Sequence, residues 1–257
     1  MLDAPVLKIV LIGAWFALLA LGERLSPAAP RPECSDAPRL TRNLGLWGGN
    51  ILINPLIVVP LTLAATSFQL WSRPALGFWP ELAIDLLLMD LWIYWWHRLN
   101  HQWPLLWRFH GVHHLDRFLD STSAVRFHPG EVALSALARM PIIVLADISL
   151  TSIIVFDALV LLSALFHHSN LRLPAAAERA LRMLIVTPSH HWVHHHRPRS
   201  DTDSNYATLL TLWDRLFGTW SRTARWPQMP IGAGEEADSA LPRLVVRPFR
   251  RHPPGRG

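Results

Sequence analysis

The sequence predicts an all-α integral membrane bundle of about five membrane helices, three single spans plus a hairpin, with a His-rich helical cap facing the cytoplasm. Three observations predict it. Of the 257 residues, 51% are hydrophobic and only 17% are charged, and mean hydropathy is positive at +0.21. There are 13 Trp, with Trp92, Trp95 and Trp96 grouped, and Trp favours the membrane–water interface where its ring is half wet. Five apolar stretches stand out, over roughly 5–22, 46–70, 82–96, 132–146 and 148–166.

The first stretch lacks a basic leader, carries Asp3 beside it and has no clean small-residue cleavage site, so it reads as a retained anchor and not as a signal peptide. It and the second stretch are long enough to span a hydrocarbon core. The third is short unless its terminal Trp and Tyr sit in the interface. The last two are divided by Asp147 and read as a helical hairpin, which Arg139 suggests is shallow. Pro55, Pro60 and Pro141 are expected to kink their helices, which membranes tolerate better than water does.

Orientation comes from the loops. Arg24, Arg31, Arg39 and Arg42 separate the first two stretches; Arg98, Arg108, Arg117 and Arg126 follow the third; Arg172, Arg182, Arg197 and Arg199 follow the hairpin. Between the second and third stretches there is only Arg73. The positive-inside rule then places the Arg-rich segments in the cytoplasm and the N-terminus outside. The net charge of +5 belongs to residues that flank apolar spans, including Arg247, Arg250, Arg251 and Arg256 near the C-terminus. Attraction to anionic lipid head groups explains them better than a nucleic-acid partner does. The single cysteine, Cys34, excludes a disulfide framework and any Cys-built zinc or iron–sulfur site. Residues 1–80 are expected to form an N-terminal anchor region, and 221–257 a polar, disordered tail.

The histidines carry the chemistry. Of 14, all but His252 lie between His97 and His196. On a helix, residues i, i+3 and i+4 share a face. His97 and His101 are so paired. His110, His113 and His114 form an i, i+3, i+4 triplet, and His191, His194 and His195 repeat it. Each triplet reads as a three-nitrogen claw, and neutral imidazole suits iron, zinc or copper and not magnesium or calcium. With one histidine from the pair His167–His168 the count is nine, too many for one ion of about four to six ligands, so two metal ions are expected. His190 lies off the triplet's face, and His196 and His252 read as ordinary polar residues.

At these residues the chain resembles the fatty acid hydroxylase/sterol desaturase superfamily, over about 85–220. The segments are Asp90-Leu-Trp-Ile-Tyr94-Trp-Trp-His97-Arg-Leu-Asn-His101, Trp107-Arg-Phe-His110-Gly-Val-His113-His114 and Arg126-Phe-His128-Pro-Gly-Glu131. They continue with Phe166-His-His168-Ser169-Asn170, Thr187-Pro-Ser-His-His191-Trp-Val-His194-His195, Asn205-Tyr206 and Trp213-Asp214-Arg-Leu-Phe217-Gly-Thr219. The resemblance implies a histidine-box, non-haem di-iron oxygenase domain over 81–220. It implies O2 as co-substrate, two iron ions (which zinc can replace in preparations), a lipid substrate and a separate electron-donor protein. By motif the ligands are His97, His101, His110, His113, His114, His168, His191, His194 and His195. His168 is preferred to His167 because it precedes Ser169-Asn170, although the neighbouring histidine can substitute. His128, His167, Asp90 and Glu131 are candidates to support the ligands, since a ligating imidazole usually donates its second N–H to a carboxylate or carbonyl. Asp116 and Asp214 are further carboxylates of that kind. Asn205, Tyr206 and residues 213–219 are expected to cap the site.

Hydroxylation and desaturation pass through the same oxidant, and sterol, fatty acyl, sphingoid, ether-lipid and carotenoid chemistries share these motifs. A zinc-dependent membrane hydrolase is the alternative enzyme, disfavoured because no His-Glu-x-x-His occurs. A metal-binding transporter or sensor is the non-enzymatic alternative, disfavoured because the histidines sit at the ends of spans and not along a path through the bilayer.

Overall fold

The computed structural model describes residues 4–32, 36–68 and 70–250, with side chains from Val10 onward. Asp3, Cys34, Arg251, His252 and Arg256 lie outside the described residues. Among those described, the chain is helical, with isolated β-bridges but no strand.

Five long helices occur where the apolar stretches predict them. They are α1 (Ala4–Leu25), the continuous rod α2–α3 (Ala37–Ile53 and Val59–Ser67, joined by a π turn at Asn54–Val58), α4 (Phe78–Gln102), α6 (Pro129–Ala146) and α7 (Leu150–His168). Pro55 falls inside the π turn, a distortion that absorbs a residue unable to donate to the helical ladder. Asp147 ends α6 in the left-handed conformation at φ 52°. Ser149 then caps α7 by accepting from the Ser152 N–H. That is the expected turn of the hairpin.

Among the described residues, three helices are long and apolar enough to cross a membrane: Ala37–Ser67, Pro129–Ala146 and Leu150–His168. α4 is not one of them, because Glu81, Asp85, Asp90 and Arg98 interrupt it. Leu52, Leu56, Leu145 and Ile154 are exposed on these rods; such side chains suit lipid better than water.

Two boundaries differ from the sequence pattern for a physical reason. The rod starts at Ala37, nine residues before its apolar stretch, because its first turns face polar partners. Arg39 pairs with Asp116 and Asp120, and the Asn43 amide donates to Asp116 and Thr122. α4 runs on past the expected Trp96 to Gln102, carrying His97 and His101 on its last turns.

The remaining helices are short: α5 (Pro104–His114), α8 (Ala175–Leu181), α9 (Pro188–His194), α10 (Arg199–Thr202), α11 (Leu212–Leu216) and α12 (Leu241–Val246). Several of them gather at one pole of the bundle. There, the Glu23 carboxylate at the end of α1 accepts from Ser121 and Asn170, which lies just beyond α7. The opposite pole is tied by Arg73 to Asp85 at 2.7 Å and by an apolar cluster of Met89, Ile143, Ile148, Ile153 and Phe156.

The segment expected as a disordered tail is packed through residue 250. Met229 and Ile231 join Phe118, Leu119 and Trp192 in one core cluster, and Leu244 of α12 joins Leu46, Val112 and Leu115 in another. Arg247 is buried; it donates to the Arg108 carbonyl and pairs with Glu236. A few apolar anchors and the ion pairs of Arg247 with Glu236 and of Asp238 with Arg42 and Arg126 order a segment whose average composition hides them.

Candidate metal centre

Proline at the first helical position starts both short helices that carry the triplets, Pro104 in α5 and Pro188 in α9, where its fixed φ and missing N–H cost nothing. α5 folds back from the end of α4 through Trp103 alone, so His101 and His110 meet with ring centroids 4.8 Å apart. α9 brings the second triplet against the end of α7.

The nine histidines of the sequence expectation lie in two groups. His97, His101, His110, His114 and His194 form one; His113, His168, His191 and His195 form the other. Within each group the candidate ligand atoms all lie within 4.8 Å of one another. The groups are adjacent: the His114 and His195 rings stack at 4.3 Å. The sharing between helices differs from the claw reading. Each triplet is split, its i and i+4 members entering one group and its i+3 member crossing to the other. His110 and His114 are joined by His194 of α9, and His191 and His195 by His113 of α5. On a helix the i+3 position sits about 60° short of a full turn, so with two centres side by side it can face the second.

The donor set fits metal ions. His110 and His114 approach Nε2 to Nε2 at 3.1 Å, His168 and His113 at 3.0 Å, His191 and His168 at 3.0 Å, and His195 and His191 at 3.1 Å. Two nitrogens about 2.1 Å from a common ion and at right angles lie about 3.0 Å apart. His101 Nε2 and His194 Nε2 are buried with no hydrogen-bond partner, an arrangement that is costly unless something accepts the lone pair. Burial, and after it the neighbouring imidazoles, holds His113, His114, His191, His194 and His195 well below the usual imidazole range. They are therefore neutral at pH 7, the form that ligates.

The other ring nitrogen is tethered in five of the nine. Nδ1 lies 2.8 Å from the Tyr206 carbonyl in His97, 2.7 Å from Glu131 Oε1 in His110, 3.2 Å from the Arg126 carbonyl in His113, 2.8 Å from the Ala164 carbonyl in His168 and 2.7 Å from the Ser204 carbonyl in His194. Such bonds fix the tautomer and turn Nε2 inward. Four of these partners are backbone carbonyls, which side-chain patterns do not reveal. Aromatic rings shield the groups: Phe127 stacks on His113 at 4.5 Å, and Trp107 packs on His101 and His114.

Of the supporting candidates, Glu131 reaches a histidine. Asp90 does not: it accepts from the Leu209 and Leu210 N–H groups and, at 2.8 Å, from Trp213 Nε1. Two helical turns before His97, it faces the loop between α10 and α11 and anchors that loop to α4. His128 caps α6, accepting from Gly130 N–H, with its Nε2 2.9 Å from the Val245 carbonyl. His167 is buried against His191 at 4.0 Å between centroids but stands outside both groups. Asp116 engages Arg39, Asn43 and the Ser123 hydroxyl instead of an imidazole. His190 pairs with Asp214 at 2.9 Å and His196 with Asp201 at 2.7 Å; each is satisfied without a metal. Asp214 also accepts from Tyr206 N–H, Ala207 N–H and the Thr219 hydroxyl. It folds residues 205–219 so that the Tyr206 ring lies 5.2 Å from His101 and 5.8 Å from His194.

A cavity of about 720 Å³ opens onto the site, bounded at one end by His97, His110, His113, His168 and His191 and elsewhere largely by apolar side chains of α2–α3, α4, α6 and α7.

Comparison with known proteins follows the same residues. Ornithine lipid hydroxylase OlsE of Rhizobium tropici is 28% identical over 91% of this chain and 73% of its own length. Cholesterol 25-hydroxylase of Mus musculus is 30% identical over 82% of the chain and 71% of its own length. Alkylglycerol monooxygenase of Homo sapiens is 30% identical over 60% of the chain, which spans only 33% of that protein. No solved structure matches. The family model described as fatty acid hydroxylase matches residues 82–219, a stretch that contains all nine clustered histidines, and the chain belongs to that family.

Proposed function

We propose that this chain is an O2-dependent oxidoreductase of the membrane that hydroxylates, or desaturates, a lipid C–H bond at two iron ions. His97, His101, His110, His114 and His194 would hold one ion, and His113, His168, His191 and His195 the other. The observation that carries this reading is the pair of all-histidine groups, buried but for the half-buried His97, at one end of a mostly apolar cavity. Relatives named as lipid hydroxylases and monooxygenases support it.

Bound iron would supply O2 activation, a redox chemistry beyond side-chain acids and bases. Hydroxylation turns O2, two electrons, two protons and a C–H bond into C–OH and water, so a separate electron-donor protein is part of the proposal. The chain's own residues do the rest. The cavity walls hold the lipid body and lead its C–H bond to the imidazoles. Phe127, Trp107 and Tyr206 keep bulk water away from them. Glu131 and the carbonyls of Tyr206, Arg126, Ala164 and Ser204 fix the imidazoles so that little reorganisation is needed when the ions load. The Arg-rich segments and the histidine pole face the cytoplasm in this reading, where the donor would dock.

The test is metal analysis of protein purified without oxygen, followed by O2 uptake and mass spectrometry of membrane lipids incubated with it and a chemical or enzymatic reductant. About two irons per chain and an added oxygen, or a new double bond, are expected. A zinc-only protein that turns lipid over without O2 would overturn the reading.

A further inference from the structure

One ionic group faces the cavity far from the histidines. Arg139 of α6 is 8% exposed. Its guanidinium donates to Asp157 Oδ1 of α7 at 2.8 Å and to Thr62 Oγ1 of α3 at 3.0 Å, and its Nε is buried with no partner. The Asp157 side chain stays 44% exposed. All three residues line the chamber that ends at the histidines. Ionisable side chains inside membrane helices are costly and tend to mark functional positions.

We propose that the Arg139–Asp157 pair is a polar anchor for the far end of the substrate, and that the substrate is a lipid alcohol whose hydroxyl binds there. The proposal rests on reading the cavity as the chamber of a lipid oxygenase. Charge decides the ligand class. A free carboxylate would meet Asp157, and an ammonium would meet Arg139. A hydroxyl both accepts and donates, so it can take an N–H from the guanidinium and give its own proton to the carboxylate, leaving the neutral pair neutral. Distance sets the second condition. Asp157 and His168 lie eleven residues apart on α7, about 16 Å along the axis at 1.5 Å per residue. The carbon presented to the metal ions is therefore about that far from the hydroxyl, on an otherwise apolar body.

A purely structural pair would tie α3, α6 and α7 together and could be exchanged for apolar residues of similar size without loss. Binding separates the two roles. Trp47 and Trp96 line the chamber, so dibrominated octadecanol, octadecane and stearate can be titrated into the protein as purified, in detergent and without O2 or reductant, by quenching of tryptophan fluorescence. The wild-type chain should bind the alcohol about tenfold more tightly than the alkane, the size of one net hydrogen bond to a charged group, and more tightly than stearate. Arg139→Met combined with Asp157→Met should bind alcohol and alkane alike. Asp157→Asn, which keeps a partner for Arg139, should gain affinity for stearate about tenfold. An alcohol preference that survives the double substitution, or stearate binding unmoved in Asp157→Asn, overturns the anchor; if the double variant fails to fold, the Asp157→Asn result decides alone. Because the titration reads binding without turnover, its failure is separate from failure of the oxygenase reading, which metal content and O2 uptake report.

Discussion

His113 and His194 exchange places: each is the i+3 member of its triplet, and each enters the group otherwise built on the other triplet's i and i+4 residues. The consequence is unequal. Loss of His194 leaves four histidines in its group, and loss of His113 leaves three in its own. His113→Ala should therefore hold about one metal ion per chain. His194→Ala should keep close to two, with one bound more weakly. Metal content after dialysis against a mild chelator reads the difference. Equal losses from both variants would favour one ion per triplet, which the split geometry opposes.

Glu131 and Asp90 were both candidates to support the ligating histidines, and the structure gives them different work. Glu131→Gln weakens the hold on His110 and should lower metal affinity by about 10- to 100-fold, the usual cost of losing an outer partner of a ligating histidine. Asp90→Ala strands two backbone N–H groups and the Trp213 indole N–H. It should cost on the order of 3 kcal/mol of stability, a fall of about 10 °C in Tm for a chain of this size. Its metal affinity should stay near wild type. Metal titration and thermal unfolding, run on both variants, separate the roles.

How much of this was legible follows from what each signal encodes. Periodicity marked the helices and the common faces of His97/His101 and the triplets, because i, i+3 and i+4 spacing is local geometry. It could not say that His113 faces a different neighbour from His110, since that depends on where α9 packs. The partners of His97, His113, His168 and His194 are carbonyls, which every residue carries, so no side-chain pattern points to them. Asp90 was misplaced because a shared helical face does not identify the neighbour on that face; a loop more than a hundred residues away occupies it. The partners of Arg139, Thr62 and Asp157, lie on other helices, so its sequence neighbourhood could not name them. The order in residues 221–250 depends on Met229, Ile231, Asp238, Leu244 and Arg247, too few to raise the segment's average.

Asp201 supplies an acid limit. Burial opposes its ionisation, but hydrogen bonds from His196, Thr223 and Ser221 outweigh it and hold the carboxyl below its usual range. The unfolded chain takes up that proton near pH 3.9, and the folded chain only at lower pH. The stabilisation is thus complete above about pH 3.9 and is lost as pH falls through the folded value. Asp201→Asn should remove this part of the acid dependence and cost roughly 1.5–3 kcal/mol at pH 7. Denaturant unfolding of both chains from pH 7 down to pH 3 checks it; parallel pH profiles would show that the latch does not titrate as described.

Removing metal should destabilise the histidine pole more than the rest of the bundle. The nine imidazoles are held within two tight groups, and Nε2 of His101 and of His194 has no protein partner. An ion bound only by the folded state stabilises it by about 2.7 kcal/mol when its free concentration is a hundred times Kd. Chelation should therefore lower Tm, and hydrogen exchange should quicken first in α5, α9 and residues 205–219, which converge on the histidines. α6 and α7 cluster with α4 at the opposite pole through Ile143, Ile153 and Met89 and should keep their protection. Added iron should reverse the change, and zinc should do so as well, because neutral imidazole accepts either ion. Protection lost evenly along the chain on chelation would mean that the metal groups are not a separable unit of the fold.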